Sequence, residues 1–313
     1  ICDLLHMPDG CGGYYGFISS HAANSFVVAM LLHLLLFNDL KVISAHVVPA
    51  SFIGSLVGAK YWLGIAKLYL VWFYNRADLV IAVSDETKTE LEKIGVKKPI
   101  QVIYNMIDTS RYQASQDRKD LRQSYQVGLE ATVIVGNGQI QPRKRVDSFI
   151  NLAREFPTYE FIWVGGMPFK RLAADHAHMQ QMIDSAPSNV RFTGVVSLEQ
   201  VRDYLALADI FIMTSQQETF GLAIVEAAAS GLPIILRDLP DYDNTFRPYA
   251  LLTNEAGFAT SLSEVSNDPK LRNQLARKAA KLASKFDSQN ITKQLVASYQ
   301  SSLAIKNGTM SRK

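Results

Sequence analysis

Residues 209–236 constrain the fold more than any other stretch. An apolar run, Asp209-Ile210-Phe211-Ile212-Met213, leads into a polar loop, Thr214 to Phe220. A helix-forming stretch beginning at Gly221-Leu222 follows, and a second apolar run, Ile234-Ile235-Leu236, closes the unit. Ser230-Gly231-Leu232-Pro233 punctuates the helix: Gly231 can take the left-handed conformation that ends a helix, and Pro233 prevents its resumption. Strand, loop, helix and strand in this order make a βαβ unit. Glu218 falls in the loop at the strand's carboxyl end, and Glu226 falls near the first full turn of the helix. Open α/β sheets bind ligands at that end, and free N–H groups near Gly221 and Leu222 suit a phosphate. On spacing alone two readings stay open. The carboxylates either grip two parts of one ligand, or serve as a solvated loop residue and a lysine partner.

The spacing Glu218-x7-Glu226, with Phe220-Gly221 at the helix start and Ser230-Gly231-Leu232-Pro233 at its end, resembles the E-x7-E signature of retaining nucleotide-sugar glycosyltransferases of the GT-B fold. This is the large family 4 type typified by sucrose synthases and lipid mannosyltransferases. The resemblance implies an α/β protein of two Rossmann-like domains facing a central cleft, with the N-terminal domain incomplete.

Length and composition agree with two domains. The chain has 313 residues, 19% charged and 48% hydrophobic, enough for two cores. Its formal net charge of +3 leaves no nucleic-acid footprint. Cys2 and Cys11 form no metal pattern, so a reduced cytosolic setting is the default. The sequons at Asn290 and Asn307 have no other sign of secretion beside them. The apolar run from Phe26 to Phe37 is too short to span a bilayer. The chain opens at Ile1 in mid-pattern, and is expected to lack the start of its first domain.

The expected domains are residues 1–115 on the acceptor side, 116–285 binding the nucleotide sugar, and 286–313 as a C-terminal helix returning to the first domain, then a tail. The first opens with a glycine-rich loop, Pro8 to Gly13, and a helix over residues 14–23. Lys41 to His46 reads as a strand with His46 at its end. Such a histidine is either a hydrogen-bonded structural residue or, as the resemblance implies, one near the donor sugar. The run His46-Val47-Val48-Pro49-Ala50-Ser51 is similar to bacterial glycosyltransferases that build diacylglycerol glycolipids. The segment Ser55 to Arg76 carries Tyr61, Trp62, Tyr69, Trp72, Phe73 and Tyr74 among Lys60, Lys67 and Arg76. It reads either as a helix buried on the sheet or as one lying at a membrane interface. Ala77 to Ser84 is an apolar parallel strand. Ser84 or Asp85 caps a helix closed by Gly95, and Ile100 to Asn105 is a further strand. The polar stretch Thr109 to Gln126 is expected to link the domains.

The second domain opens on the strand Ala131 to Gly138, then Gln139 and the basic cluster Arg143-Lys144-Arg145. Cations at a helix start oppose the helix dipole, which points to an anion held there by charge-assisted hydrogen bonds. The family's G-R-x4-K run matches Gly138 and Lys144 but has Gln139 where arginine is usual, leaving Arg143 or a neutral bond from Gln139 to complete the clamp. Tyr159 to Val164 is a strand ending in Gly165-Gly166. Asn189 to Val196 is a strand and turn, and the resemblance implies main-chain contacts to the base near Val195. The helix Leu198 to Ala208 then leads into the opening unit.

The implied activity is transfer of a hexose, with retention, from UDP-glucose or UDP-galactose to diacylglycerol or its monoglycoside. The expected catalytic residues are His46, Glu218 and Lys144. Glu218 would hold sugar hydroxyls and Glu226 the ribose. Lys144, Arg143 and the N–H groups at Gly221 and Leu222 would hold the diphosphate, with Gly138, Gln139, Gly165, Val195 and Phe220 completing the donor site. No Asp-x-Asp metal site is read among these donor-site residues, so neither metal nor other cofactor is expected. The expected partners are the nucleotide sugar, a lipid acceptor and an anionic membrane surface, with no nucleic acid. The expected place is the cytoplasm, peripheral on the inner face of the cell membrane. A non-catalytic nucleotide-sugar-binding protein, an epimerase of the same fold, and transfer to a soluble or polysaccharide acceptor remain as alternatives.

Overall fold

The computed structural model describes residues 40–46, 49, 59–113, 116–167, 175–218 and 220–307. The expectations for Cys2, Cys11, the glycine-rich loop, the helix over 14–23, the run over 26–37 and most of 47–55 lie outside the described residues. So do the side chains of Lys60 and Trp62.

Two parallel sheets carry the structure. The first contains β1 (Val42–Ala45), β2 (Leu79–Ala82) and β3 (Ile100–Val102) in that spatial order. α1 (Ala59–Tyr74) and α2 (Asp85–Ile94) connect them. Ser84 caps α2 by accepting from Thr87 N, and Gly95 at φ 105° ends it. The strand of Ala77 to Ser84 is shorter than expected, because Asp78 N and Leu79 N both turn to Lys41 O.

The second sheet contains β4 (Val133–Asn137), β5 (Glu160–Val164), β6 (Val190–Phe192), β7 (Ile210–Met213), β8 (Ile234–Arg237) and β9 (Leu251–Thr253). Their spatial order is β6-β5-β4-β7-β8-β9, all parallel. The chain enters at the centre, winds out through β5 and β6, and returns to the other side of β4 through β7. The strand order therefore reverses between β4 and β7, where an open α/β sheet has its ligand crevice. α3 (Arg118–Ser124), α4 (Val146–Glu155), α5 (His176–Asp184), α6 (Leu198–Leu207), α7 (Leu222–Ala229), α8 (Phe258–Asn267) and α9 (Pro269–Lys285) accompany this sheet. The strands β4, β7 and most of β5 and β8 are fully buried, as strands covered on both faces must be.

The stretch from Thr109 to Gln126 differs from a plain linker. Thr109–Tyr112 is a 3-10 turn, and α3 is locked into the second sheet. The Arg122 guanidinium is 5% exposed and donates to the carbonyls of Leu207, Gly128, Leu129 and Ala131 and to Asp209 Oδ2. In a sequence, a charged side chain that satisfies buried carbonyls looks like any solvent-facing one.

α10 (Ser288–Lys306) runs back over the first sheet. Ser298 Oγ lies 2.6 Å from Gln101 Oε1, and Lys306 Nζ is 2.9 Å from Asp78 Oδ2. At its start the chain crosses beside its own first passage. Ile107 N donates to Phe286 O at 3.1 Å, and Ser288 N donates to Ile107 O at 2.8 Å.

Candidate active site

The two halves of the βαβ unit place Glu218 and Glu226 around one cavity of about 270 Å³ at the β4–β7 switch point. Gly138, Gln139, Arg143, Lys144, Gly165, Val195, Glu218, Gly221, Leu222 and Glu226 all line it. Local backbone explains the shape. Gly165, at φ 130°, lies so close to Gly138 that an added Cβ would stand 2.2 Å from Gly138 O, so only glycine lets β4 and β5 end together here. Gly221 starts α7 at φ 80°, and Leu222 and Ala223 turn the open N-terminus of that helix to the cavity.

Lys144 and Glu218 form a buried pair, Nζ to Oε1 at 2.6 Å, with Arg143 Nη1 3.7 Å from the other carboxylate oxygen. Burial acts to raise the Glu218 carboxyl, but the charges of Lys144 and Arg143 outweigh it and hold the group below its ordinary value. Burial lowers the Lys144 ammonium, against the pull of Glu218. Arg143 is steadied by Gln141 Oε1 at 3.0 Å and by the carbonyl of Gln217 at 3.1 Å, and Gln141 in turn donates to Gln139 Oε1 at 2.8 Å. Gln139 thus sits in a relay behind Arg143, which supplies the second cation of the cavity.

Glu226 is held at both oxygens. Tyr112 donates to Oε1 at 3.0 Å and Asn137 Nδ2 to Oε2 at 3.1 Å. Burial and the adjacent Glu226 push the Tyr112 phenol well up, so it stays a donor. Neither partner is evident from the sequence. Asn137 lies at the end of an apolar run, where its position after Gly136 could have marked it. Tyr112 lies in a polar stretch with no periodicity.

Two expected site residues lie elsewhere. Phe220 does not line the cavity. Its ring is 5% exposed and packs 5.2 Å from Phe286, 6.0 Å from Tyr104 and 6.1 Å from Phe246, forming the floor under the Glu218 loop. An apolar ring beside three others gains more from burial than from facing a polar ligand. His46 follows β1, is exposed, and is not among the cavity's lining residues.

Comparison with known proteins gives the family and the fold. The family model described as "Glycosyl transferases group 1" matches residues 117–282, and "Glycosyltransferase Family 4" matches residues 15–111. The alpha-galactosylglucosyldiacylglycerol synthase of Streptococcus pneumoniae is 29% identical over 269 residues, 85% of this chain and 72% of that protein. The processive diacylglycerol alpha-glucosyltransferase of Acholeplasma laidlawii is 31% identical over 187 residues, 58% of this chain and 55% of that protein. Among solved structures, Anabaena HepE in complex with UDP and glucose superposes with a TM-score of 0.76 at 23% identity, over 89% of this chain and 76% of that one. Sucrose-phosphate synthase of Thermosynechococcus elongatus does so with a TM-score of 0.75 at 17% identity, over 90% of this chain and 72% of that one. The chain belongs to the group 1 glycosyl transferases and is a glycosyltransferase of the GT-B fold.

Proposed function

We propose that this protein transfers a hexose, with retention, from a UDP-sugar to a diacylglycerol-based acceptor at a membrane surface. The observation that carries the reading is the cavity at the switch point, where Lys144, Arg143 and the N-terminus of α7 converge between Glu218 and Glu226. Transfer makes a diphosphate leaving group more negative, and preorganised cations and N–H groups stabilise that change without water rearranging. Glu226 lines the cavity from α7, and its carboxylate, acceptor-only when ionised, suits the ribose hydroxyls. Glu218 accepts from sugar hydroxyls once Lys144 turns to the diphosphate. In this reading the two cations do the work that a divalent ion does elsewhere, so a chelator leaves activity intact.

The lipid acceptor rests on the named activities of the diacylglycerol and galactosylglucosyldiacylglycerol relatives, and on α1. Tyr61, Ile65, Leu68, Tyr69 and Trp72 recur at helical spacing and stand 82%, 74%, 73%, 45% and 40% exposed. A contiguous exposed apolar stripe marks an interaction surface, and here it suits the headgroup region of a bilayer at the inner face of the cell membrane. Among the described residues, no helix is long and apolar enough to cross a membrane.

The test is transfer of labelled sugar from UDP-glucose or UDP-galactose to liposomes containing diacylglycerol or its monoglycoside, with the lipids resolved afterwards. The intact protein should form a glycolipid in the presence of chelator. Glu218→Gln should bind UDP and transfer little. Unimpaired transfer by Glu218→Gln would remove the carboxylate from the mechanism, and transfer to soluble glycans alone would replace the lipid acceptor.

A further inference from the structure

A second, much smaller cavity, about 10 Å³, also touches Glu218. Ser84 and Glu86 line it from beside the first sheet, and Phe220, Asp241, Tyr242, Thr245 and Phe246 from beside the second. Tyr242 ends the short 3-10 turn Pro240–Tyr242. Its ring packs edge-on to Phe246 at 5.1 Å, and the residue is 2% exposed. Among the described residues its hydroxyl has no hydrogen-bond partner. A buried donor left unmade costs about 1–3 kcal/mol, and such a group in a folded protein calls for a reason. Burial, then the charge of Glu218, raises the phenol well above its ordinary value, so it remains a donor at every physiological pH.

The reason lies in what becomes of Glu218 during the reaction. In this structure its carboxylate faces Lys144 and Arg143. Both cations are the groups that a diphosphate would draw. Once they turn to it, Glu218 keeps only the Ser215 hydroxyl beside it and has no counter-charge, and such a buried carboxylate takes up a proton. A protonated Glu218 accepts poorly from sugar hydroxyls. The uncommitted Tyr242 hydroxyl lines a cavity with this carboxylate. We propose that Tyr242 is a positioning residue: its hydroxyl donates to Glu218 when the donor's diphosphate engages Lys144, and keeps the carboxylate ionised and turned to the sugar. This rests on the reading of Glu218 given under the proposed function.

The test is Tyr242→Phe in the full chain, with UDP and UDP-glucose as probes. UDP affinity should fall at neutral pH, by about 10-fold or more, because the hydrogen bond forms as the diphosphate binds, and kcat for UDP-glucose turnover should fall about 10- to 100-fold, the worth of one hydrogen bond to a charged group. Calorimetry of UDP binding in buffers of different ionisation enthalpy should show more proton uptake by Tyr242→Phe than by the parent, because Glu218 then protonates as Lys144 leaves. The melting temperature should hold or rise, since the hydroxyl removed had no partner. Unchanged turnover and proton uptake, or a fall of several degrees in melting temperature, would overturn the inference and leave Tyr242 a packing residue. If the parent binds no UDP, or Glu218→Gln turns over normally, the reading of the site fails first. If Glu218→Gln is impaired and Tyr242→Phe is not, this inference fails alone.

Discussion

Lys144 and Glu218 set the electrostatics of the cavity. Their side chains are 9% and 6% exposed, so removing one strands the charge of the other. Lys144→Met should lower folding stability by about 3–5 kcal/mol at neutral pH. The pH dependence follows from the direction in which Glu218 is shifted. Its folded carboxyl lies below the ordinary value, so the stability it contributes is present above the unfolded value, about 4.3, and is lost as pH falls through the folded one. In Lys144→Met, burial acts on Glu218 with only Arg143 left in opposition, and the group protonates more readily. The deficit against the parent should therefore shrink from neutral pH towards about pH 4, where the stranded carboxylate is neutralised. Urea unfolding at both values measures it, and Lys144→Met/Glu218→Gln should regain most of the loss. A deficit independent of pH would mean that Lys144 acts by packing and not by charge.

At the scale of elements, the 3-10 turn Thr109–Tyr112 reaches from the crossing between the sheets to the donor cavity. Tyr112→Phe removes one donor from Glu226 and keeps the ring. One hydrogen bond to a charged group is worth about 1.5–3 kcal/mol, about 10- to 100-fold in an equilibrium constant. UDP binding by calorimetry should weaken by that factor. Glu226→Ala, which removes the acceptor for both ribose hydroxyls, should cost about 10- to 100-fold or more. Equal affinity in both variants and the parent would place the ribose elsewhere. α3 carries a different load. Arg122→Met takes the guanidinium from the carbonyls of residues 129 and 131, leaves those of 128 and 207 with one donor each, and leaves Asp209 to Arg118 and Val133 N, so thermal unfolding should show a loss of about 2–3 kcal/mol.

These elements also show what the sequence could reveal. The unit from Asp209 to Leu236 is legible because its signals are local: two apolar runs, and Gly231 and Pro233 as punctuation. The ring of cavity residues follows from it, since a βαβ unit fixes where the strand ends and the helix begins. The Lys144–Glu218 pair joins residues 74 apart, and Tyr112 meets Glu226 across 114. Nothing near Tyr112 announces such a partner. Arg122 was hidden for the same reason: its acceptors are backbone carbonyls, which every residue has. Phe220 shows a motif position serving the packing beneath the site, which spacing alone cannot separate from a contact to ligand.

For the whole molecule, the two passages between the sheets lie side by side, and Tyr104, Phe220, Phe246 and Phe286 pack where they meet. The Glu218 loop is thereby tied to the first unit, the one that carries α1. On α1 the exposed stripe from Tyr61 to Trp72 is flanked by exposed Lys67 and by Arg76, whose guanidinium lies 4.4 Å over the Trp72 ring. Aromatic rings seek headgroup depth, and each basic side chain near anionic lipid adds about 1 kcal/mol. A diacylglycerol acceptor stays in the bilayer, so the proposed reaction needs this face at the interface. With few cations, binding should be reversible and should weaken as salt is raised. In sedimentation with liposomes, the bound fraction should rise with phosphatidylglycerol content. Lys67→Glu/Arg76→Glu should reduce that dependence, and Tyr61→Ser/Leu68→Ser/Trp72→Ala should reduce binding at every composition. Both sets alter exposed side chains, so UDP affinity should not change, while transfer to liposomes should fall in step with sedimentation. If both variants sediment like the parent, α1 is not the lipid-facing element; if the parent stays in the supernatant at every composition, a soluble acceptor replaces the lipid.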